Sequence, residues 1–146
     1  IIHNDIETSA NGITLEEYSE KIKRDNLKIC YLGRIDDKKS TLELCKAWHE
    51  LKKNKEIPLG ARLSIAGWTH CNNYMYEVMK IIKLADSIEF LGPLFNEQKR
   101  KLYLSSGAFI LPSKGEGLPT VVLEAWRDKC LTIITKQCNF PEEAIG

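Results

Sequence analysis

A chain of 146 residues, 43% hydrophobic and 28% charged, has the size and composition of one globular domain. It is not a disordered polymer and needs no disulfide or metal to complete its core. A formal net charge of +1 excludes a broad electrostatic grip on nucleic acid or an anionic membrane, so no nucleic-acid partner is expected.

The polar residues 1–26 contain one weak helical piece over 15–23 and lead into the domain proper, 27–146. From there the pattern is regular. Residues 27–33 (LKICYLG), 61–67 (ARLSIAG), 87–92 (SIEFLG), 108–112 (AFILP) and 131–135 (LTIIT) are short apolar runs bounded by turn residues, the form of buried strands. Near-continuous apolar strands belong to a parallel sheet covered on both faces. Between them lie helical stripes. Residues 41–54 place Leu44, Ala47, Trp48 and Leu51 on one face, and Ser40-Thr41-Leu42-Glu43 predicts a capping box. Residues 73–85 carry Met75, Val78, Met79 and Ile82. Residues 97–106 follow Asn96, an expected N-cap, and 119–129 carry Val122, Leu123 and Trp126. The Met and Trp residues at helical spacing are read as core. Five strands alternating with helices predict an α/β fold with a Rossmann-like, doubly wound parallel sheet, whose ligands bind at the carboxyl ends of the strands.

The five cysteines, Cys30, Cys45, Cys71, Cys130 and Cys138, are odd in number and lack C-x-x-C spacing. Reduced thiols in a cytoplasmic protein fit best. No run is long enough to span a membrane, and Ile1-Ile2-His3-Asn4-Asp5 lacks the regions of a signal peptide. Without an initiator Met the chain is expected to be a piece of something longer.

The segments after the strands are the places to look for chemistry. Gly33-Arg34 and Lys39 follow the first strand. The glycine permits close approach of a ligand, and the two cations flank a helix N-terminus, a place for phosphates. By themselves they read equally well as surface residues, and Asp36-Asp37-Lys38-Lys39 reads as a solvated face. Trp68 either stacks on a base or covers the sheet edge, His70 reads as a surface loop residue, and Gly92-Pro93-Leu94 is a turn that either lines a base pocket through its backbone groups or serves as a turn alone. The segment 112–125, PSKGEGLPTVVLEA, is the informative one. Gly115 and Gly117 bracket Glu116, which taken alone reads as a solvated loop acid; Gly117 and Leu118 offer amides at a helix start, and Pro119 suits an early helical position. Glu124 falls among Val121, Val122, Leu123 and Ala125, where a carboxylate needs a partner. Two sugar hydroxyls would serve, and so would a helix salt bridge with Arg127 or Lys129.

Glu116 and Glu124, with seven residues between them in this segment, resemble the donor signature of the retaining GT-B glycosyltransferases of group 1. Asn11-Gly12-Ile13, Gly33-Arg34 with Lys39, Phe90-Leu91-Gly92 and Cys138-Asn139-Phe140-Pro141-Glu142 match the family in order, so the resemblance covers nearly the whole chain from Asn11. It implies the carboxyl-terminal, nucleotide-sugar-binding half of a GT-B fold. Glu116 is then expected to bind the donor sugar and Glu124 the ribose. Arg34, Lys39 and the amides of Gly117 and Leu118 neutralise the leaving diphosphate, with Gly33, Pro119 and Thr120 completing the donor contacts. No metal or other cofactor is expected, since the cations carry that charge. The acceptor, a sugar, lipid-linked or glycan molecule, is expected on an amino-terminal domain outside this chain. The whole protein is expected in glycan or cell-surface polysaccharide synthesis, cytoplasmic or at the inner face of the membrane. The fragment alone is expected to bind donor weakly and transfer nothing. Two departures stand out. Ser40 takes the place of a glycine that often follows the Lys, which the capping box would explain. Pro119 replaces a second loop glycine and removes one amide. Two other readings compete. A dinucleotide-dependent oxidoreductase wants G-x-G-x-x-G after the first strand and a P-loop enzyme wants its Lys motif; both are absent. A non-catalytic interaction domain has no need of paired glutamates with Arg34 and Lys39.

Overall fold

A computed structural model of the protein describes residues 20–140. Asn11-Gly12-Ile13, most of the helical piece expected over 15–23, and Pro141-Glu142 fall outside the described residues. The elements in chain order are β1 (Asp25–Leu32), α1 (Thr41–Lys53), β2 (Arg62–Ala66), α2 (Asn72–Leu84), β3 (Ile88–Gly92), α3 (Asn96–Ser105), β4 (Ser106–Leu111), α4 (Thr120–Arg127) and β5 (Leu131–Ile134), then a 3-10 turn (Lys136–Cys138).

The five strands form one parallel sheet in the order β3-β2-β1-β4-β5. The chain builds outward from β1 through β2 to β3, then returns to the other side of β1 for β4 and β5. Strand order therefore reverses between β1 and β4, the place where sheets of this class bind their ligands.

The expected alternation of strand and helix is met, and burial explains why the strands were legible. Cys30, Tyr31, Leu63, Ile65, Phe109 and Leu111 of the three central strands are wholly buried. The edge strands β3 and β5 instead alternate exposed positions with buried or half-buried ones. Trp48 is buried with its indole N–H on Ser87 Oγ at 3.2 Å, and Trp126 donates to Thr132 Oγ1 at 2.8 Å, as core tryptophans should. The five cysteines are free; Cys71 is exposed and the other four are buried. No helix among the described residues is long and apolar enough to cross a membrane.

Three local expectations are corrected. Ser40 makes no capping box: it sits in the left-handed region (φ 54, ψ 35) with no side-chain cap bond, and Glu43 instead accepts from the Tyr74 hydroxyl at 3.3 Å. Asn96 is not the cap of α3 but its first residue, at φ 46, while Gln98 reaches back to the Phe95 N–H at 3.4 Å. Leu123 does not join Val122 and Ala125 in the core; it is exposed. Helix α3 runs straight into β4, because Ser106 bonds the Leu102 carbonyl at 2.7 Å. Gly107 lets that strand pass the backbone of Asn26, which a β-carbon would meet at 2.7 Å.

Candidate donor site at the strand-order reversal

The loop after β1 is held by hydrogen bonds on both sides. Gly33 N–H bonds the Ala66 carbonyl at 3.1 Å and Ile35 N–H the Trp68 carbonyl at 2.8 Å, so the chain stays beside β2 past the end of the strand. Gly67 makes this approach possible. Its φ is +148, and a β-carbon there would lie 1.8 Å from the Gly33 carbonyl oxygen, so no other residue fits. Asp36 then folds the loop: one carboxylate oxygen accepts the Lys39 N–H at 2.9 Å, the other the Arg34 guanidinium at 2.6 Å. Tyr31 donates to the Arg34 carbonyl at 2.6 Å and receives Thr41 Oγ1 at 3.1 Å. The Asp36-to-Lys39 run is thus a solvated face only in part. Asp36 is a partly buried organiser and Lys39 is half-buried, whereas Asp37, paired with Lys114 at 2.7 Å, and Lys38 are exposed.

The loop after β4 packs on this one. Lys114 N–H and Ser113 Oγ both donate to the Lys38 carbonyl, at 2.8 and 3.1 Å. On its other side Thr135 Oγ1 donates to the Ser113 carbonyl at 2.6 Å, Glu116 N–H to the Gln137 carbonyl at 3.0 Å, and Asn139 Nδ2 to the Glu116 carbonyl at 2.8 Å. Glu116 is gripped through its backbone, and its carboxylate meets the Lys39 ammonium in a largely buried ion pair. Burial alone would raise the Glu116 pKa. Hydrogen bonds from Lys39 and Ser113, with the charges of Lys39 and Lys38, outweigh it and hold the group below its ordinary value. Gly117 and Leu118 make no hydrogen bond through their N–H groups among the described residues. Pro119 stands one position before the helix, as the N-cap of α4, which begins at Thr120. These two open amides and the helix start form one rim of the loop, an arrangement suited to an anion.

Glu124 lies within α4, and its partners come from the neighbouring helix α3. The Lys99 ammonium is 2.8 Å from both carboxylate oxygens, and the Tyr103 hydroxyl is 3.3 Å from one. Sequence spacing pointed instead to Arg127 or Lys129, because partners in another element leave no trace in local spacing. Arg34, Lys39, Glu116, Gly117 and Leu118 therefore gather around the two switch-point loops, with Glu124 in the following helix. Asp36, Lys99 and Tyr103 are the residues sequence reasoning missed. Trp68 and His70 pack edge to face at 4.6 Å on the surface beyond β2. An open cavity of about 480 Å³ lies at the opposite, amino end of β2 and β3, lined by residues such as His49, Leu59, Arg62 and Ser87. It is far from these loops, and the backbone geometry at the strand-order reversal is the better guide to a site.

The sequence profile of the family described as "Glycosyl transferases group 1" matches residues 14–146. The chain belongs to this family. Among curated relatives of this group 1 transferase domain, an uncharacterised glycosyltransferase of Haemophilus influenzae is 33% identical over 122 residues, covering 84% of this chain and 33% of the relative. The UDP-Gal:alpha-D-GlcNAc-diphosphoundecaprenol alpha-1,3-galactosyltransferase of Escherichia coli is 27% identical over 124 residues, covering 83% and 32%. The chain thus spans about a third of the length of the curated relatives it matches. Solved structures share the fold. The carboxyl-terminal domain of a group 1 glycosyl transferase (LpcC) from Francisella tularensis superposes with a TM-score of 0.67 at 24% identity, over 86% of this chain and 65% of that one. The pneumococcal O-GlcNAc transferase GtfA, solved with UDP and GlcNAc, gives 0.65 at 18% identity, over 82% and 22%. The group 1 domain is thus a carboxyl-terminal, Rossmann-like GT-B domain.

Proposed function

We propose that this domain binds the nucleoside-diphosphate sugar donor of a retaining glycosyltransferase. The observation that carries the reading is the Lys39–Glu116 pair at the strand-order reversal, beside the open amides of Gly117 and Leu118. An ammonium has three N–H groups, so Lys39 can keep Glu116 and still donate to a phosphate. Arg34, steered by Asp36 and about half exposed, supplies a second cation. As the bond between the anomeric carbon and the diphosphate breaks, the electron pair leaves with the diphosphate. Lys39, Arg34 and the two amides face that growing charge. Glu116, held ionised, accepts hydroxyls of the sugar, and Glu124 accepts those of the ribose. The cations carry the leaving-group charge, so the proposal includes no metal or other cofactor.

The E. coli relative is named for a UDP-galactose donor and a lipid diphosphate acceptor, and the pneumococcal neighbour was solved with UDP. These names support a nucleotide-sugar donor and a glycan or lipid-linked acceptor; the proposal adds that another domain holds the acceptor and that the whole protein serves polysaccharide synthesis at the cytoplasmic side of a membrane. The test is calorimetric titration of the full-length protein with UDP, GDP, ADP and CMP. One nucleoside diphosphate should bind, and Glu124→Ala should weaken it by about ten- to a hundredfold, the loss expected for hydrogen bonds to a charged group. Equal binding by wild type and variant would sink the ribose assignment, and no binding would sink the donor site.

A further inference from the structure

The ribose reading of Glu124 leaves a question of capacity, and the inference here rests on that reading. A carboxylate has about four lone-pair directions. In this domain the Lys99 ammonium draws on both oxygens at 2.8 Å, and Tyr103 donates to one at 3.3 Å. Tyr103 is wholly buried; burial, followed by the nearby charge of Glu124, pushes its phenol far above the usual range. It therefore remains a donor. The Lys99 ammonium has no other hydrogen bond or ion pair among the described residues. A vicinal diol needs two more acceptor directions on the same carboxylate, so seating both hydroxyls requires the ammonium to tilt away from one oxygen.

We propose that Lys99 is a specificity-determining residue, which limits the hydrogen-bonding capacity of Glu124 and so sets how strongly the second ribose hydroxyl of the nucleotide is read. Both side chains of the pair are 28% exposed. Water can compensate the ammonium as it tilts, so the contact yields to a ligand rather than blocking it. A nucleotide with one hydroxyl uses the open direction alone. A nucleotide with two gains the second bond but loses part of the ion pair, and its advantage narrows. Removing the ammonium returns the full carboxylate to the diol and widens that advantage.

The experiment uses the full-length protein and whichever of UDP, GDP or ADP it binds, titrated beside its 2′-deoxy counterpart. The quantity read is the ratio of the two dissociation constants. Both nucleotides carry the same charge, so the general loss of a cation cancels in the ratio. Lys99→Met keeps the apolar stem and should raise the ratio by about three- to tenfold, the worth of one fuller hydrogen bond. Glu124→Ala should bring it to about one, where no acceptor reads the diol. A ratio unchanged in Lys99→Met, with the collapse in Glu124→Ala intact, overturns the role of Lys99 and leaves the ribose reading standing. A ratio unmoved by Glu124→Ala overturns both, as does a wild-type protein that binds none of the three nucleotides.

Discussion

Ser40 carries a backbone conformation that suits a glycine. It lies at φ 54, ψ 35 with no side-chain cap bond, and a left-handed residue with a β-carbon costs about 1 kcal/mol. The capping box expected from the sequence would have made serine the better choice; its absence removes that reason and leaves the strain. Ser40→Gly should therefore raise stability by about 0.5 kcal/mol once the greater freedom of glycine in the unfolded chain is counted. A lower urea midpoint in the variant would mean that the buried serine side chain contributes more than the strain costs. Glu116 is a second residue whose surroundings make a definite prediction. Its folded pKa lies below the ordinary 4.5. The stability from its ionised contacts is therefore complete above about pH 4.5 and is lost as pH falls through the lower folded value. At pH 7 Glu116→Gln should be less stable by about 1–2 kcal/mol, the worth of a charge-assisted contact in a largely buried pair. Thermal unfolding from pH 7 to 3 should show the gap closing in acid. A gap that stays constant with pH would show that Lys39 does not hold the carboxylate ionised.

Helices α3 and α4 carry Lys99, Tyr103 and Glu124, so their mutual position fixes that half of the site. Asp128, directly after α4, joins them. Its side chain is wholly buried, with Arg100 Nε of α3 at 3.1 Å and Arg127 Nη2 at 3.0 Å. Arg24, ahead of β1, donates to the carbonyls of Asp128 and Lys129 at 2.9 and 2.5 Å. Asp128→Ala would leave the largely buried Arg100 without its acid, a loss of about 3 kcal/mol for a broken buried pair. Guanidinium unfolding should show it, and a loss under 1 kcal/mol would mean that Arg100 finds water as readily as it finds Asp128. Nothing in the sequence marked this residue, because Arg127-Asp128-Lys129 is a run of charges at a helix end like any solvated one. The contrast with the strands is physical. Central strands buried on both faces leave continuous apolar runs, and the glycine-bracketed Glu116 marks a loop at a strand end. Lys99–Glu124 and Arg100–Asp128 are pairings between elements, set by how α3 packs beside α4. The helix starts were misread at Ser40 and Asn96 because both adopt left-handed conformations, where good capping residues make no cap.

At the scale of the molecule, the loops that carry the proposed donor site also expose apolar side chains. Trp68 after β2, Leu91 in β3, Phe95 before α3 and Leu118 before α4 all lie at the carboxyl ends of the strands and are 37 to 64% exposed. A sheet that presents cations, open amides and aromatic surface at one end suits one wall of the cleft that the proposed function requires. The chain spans about a third of its curated relatives, and the proposed acceptor belongs to the part they have in addition. Sugar transfer needs both reactants held in line and water kept out, and one wall can do neither. The isolated chain should therefore transfer no sugar from a labelled donor. It should also bind the nucleoside diphosphate more weakly than the full-length protein does, by about tenfold or more if closure of the second wall supplies even one or two hydrogen bonds. Donor and nucleotide titrations of the two proteins, with product counted in the same samples, decide it. Transfer by the isolated chain would show that acceptor and donor meet on this domain alone, and the exposed aromatic rim would then be the place to look for the acceptor.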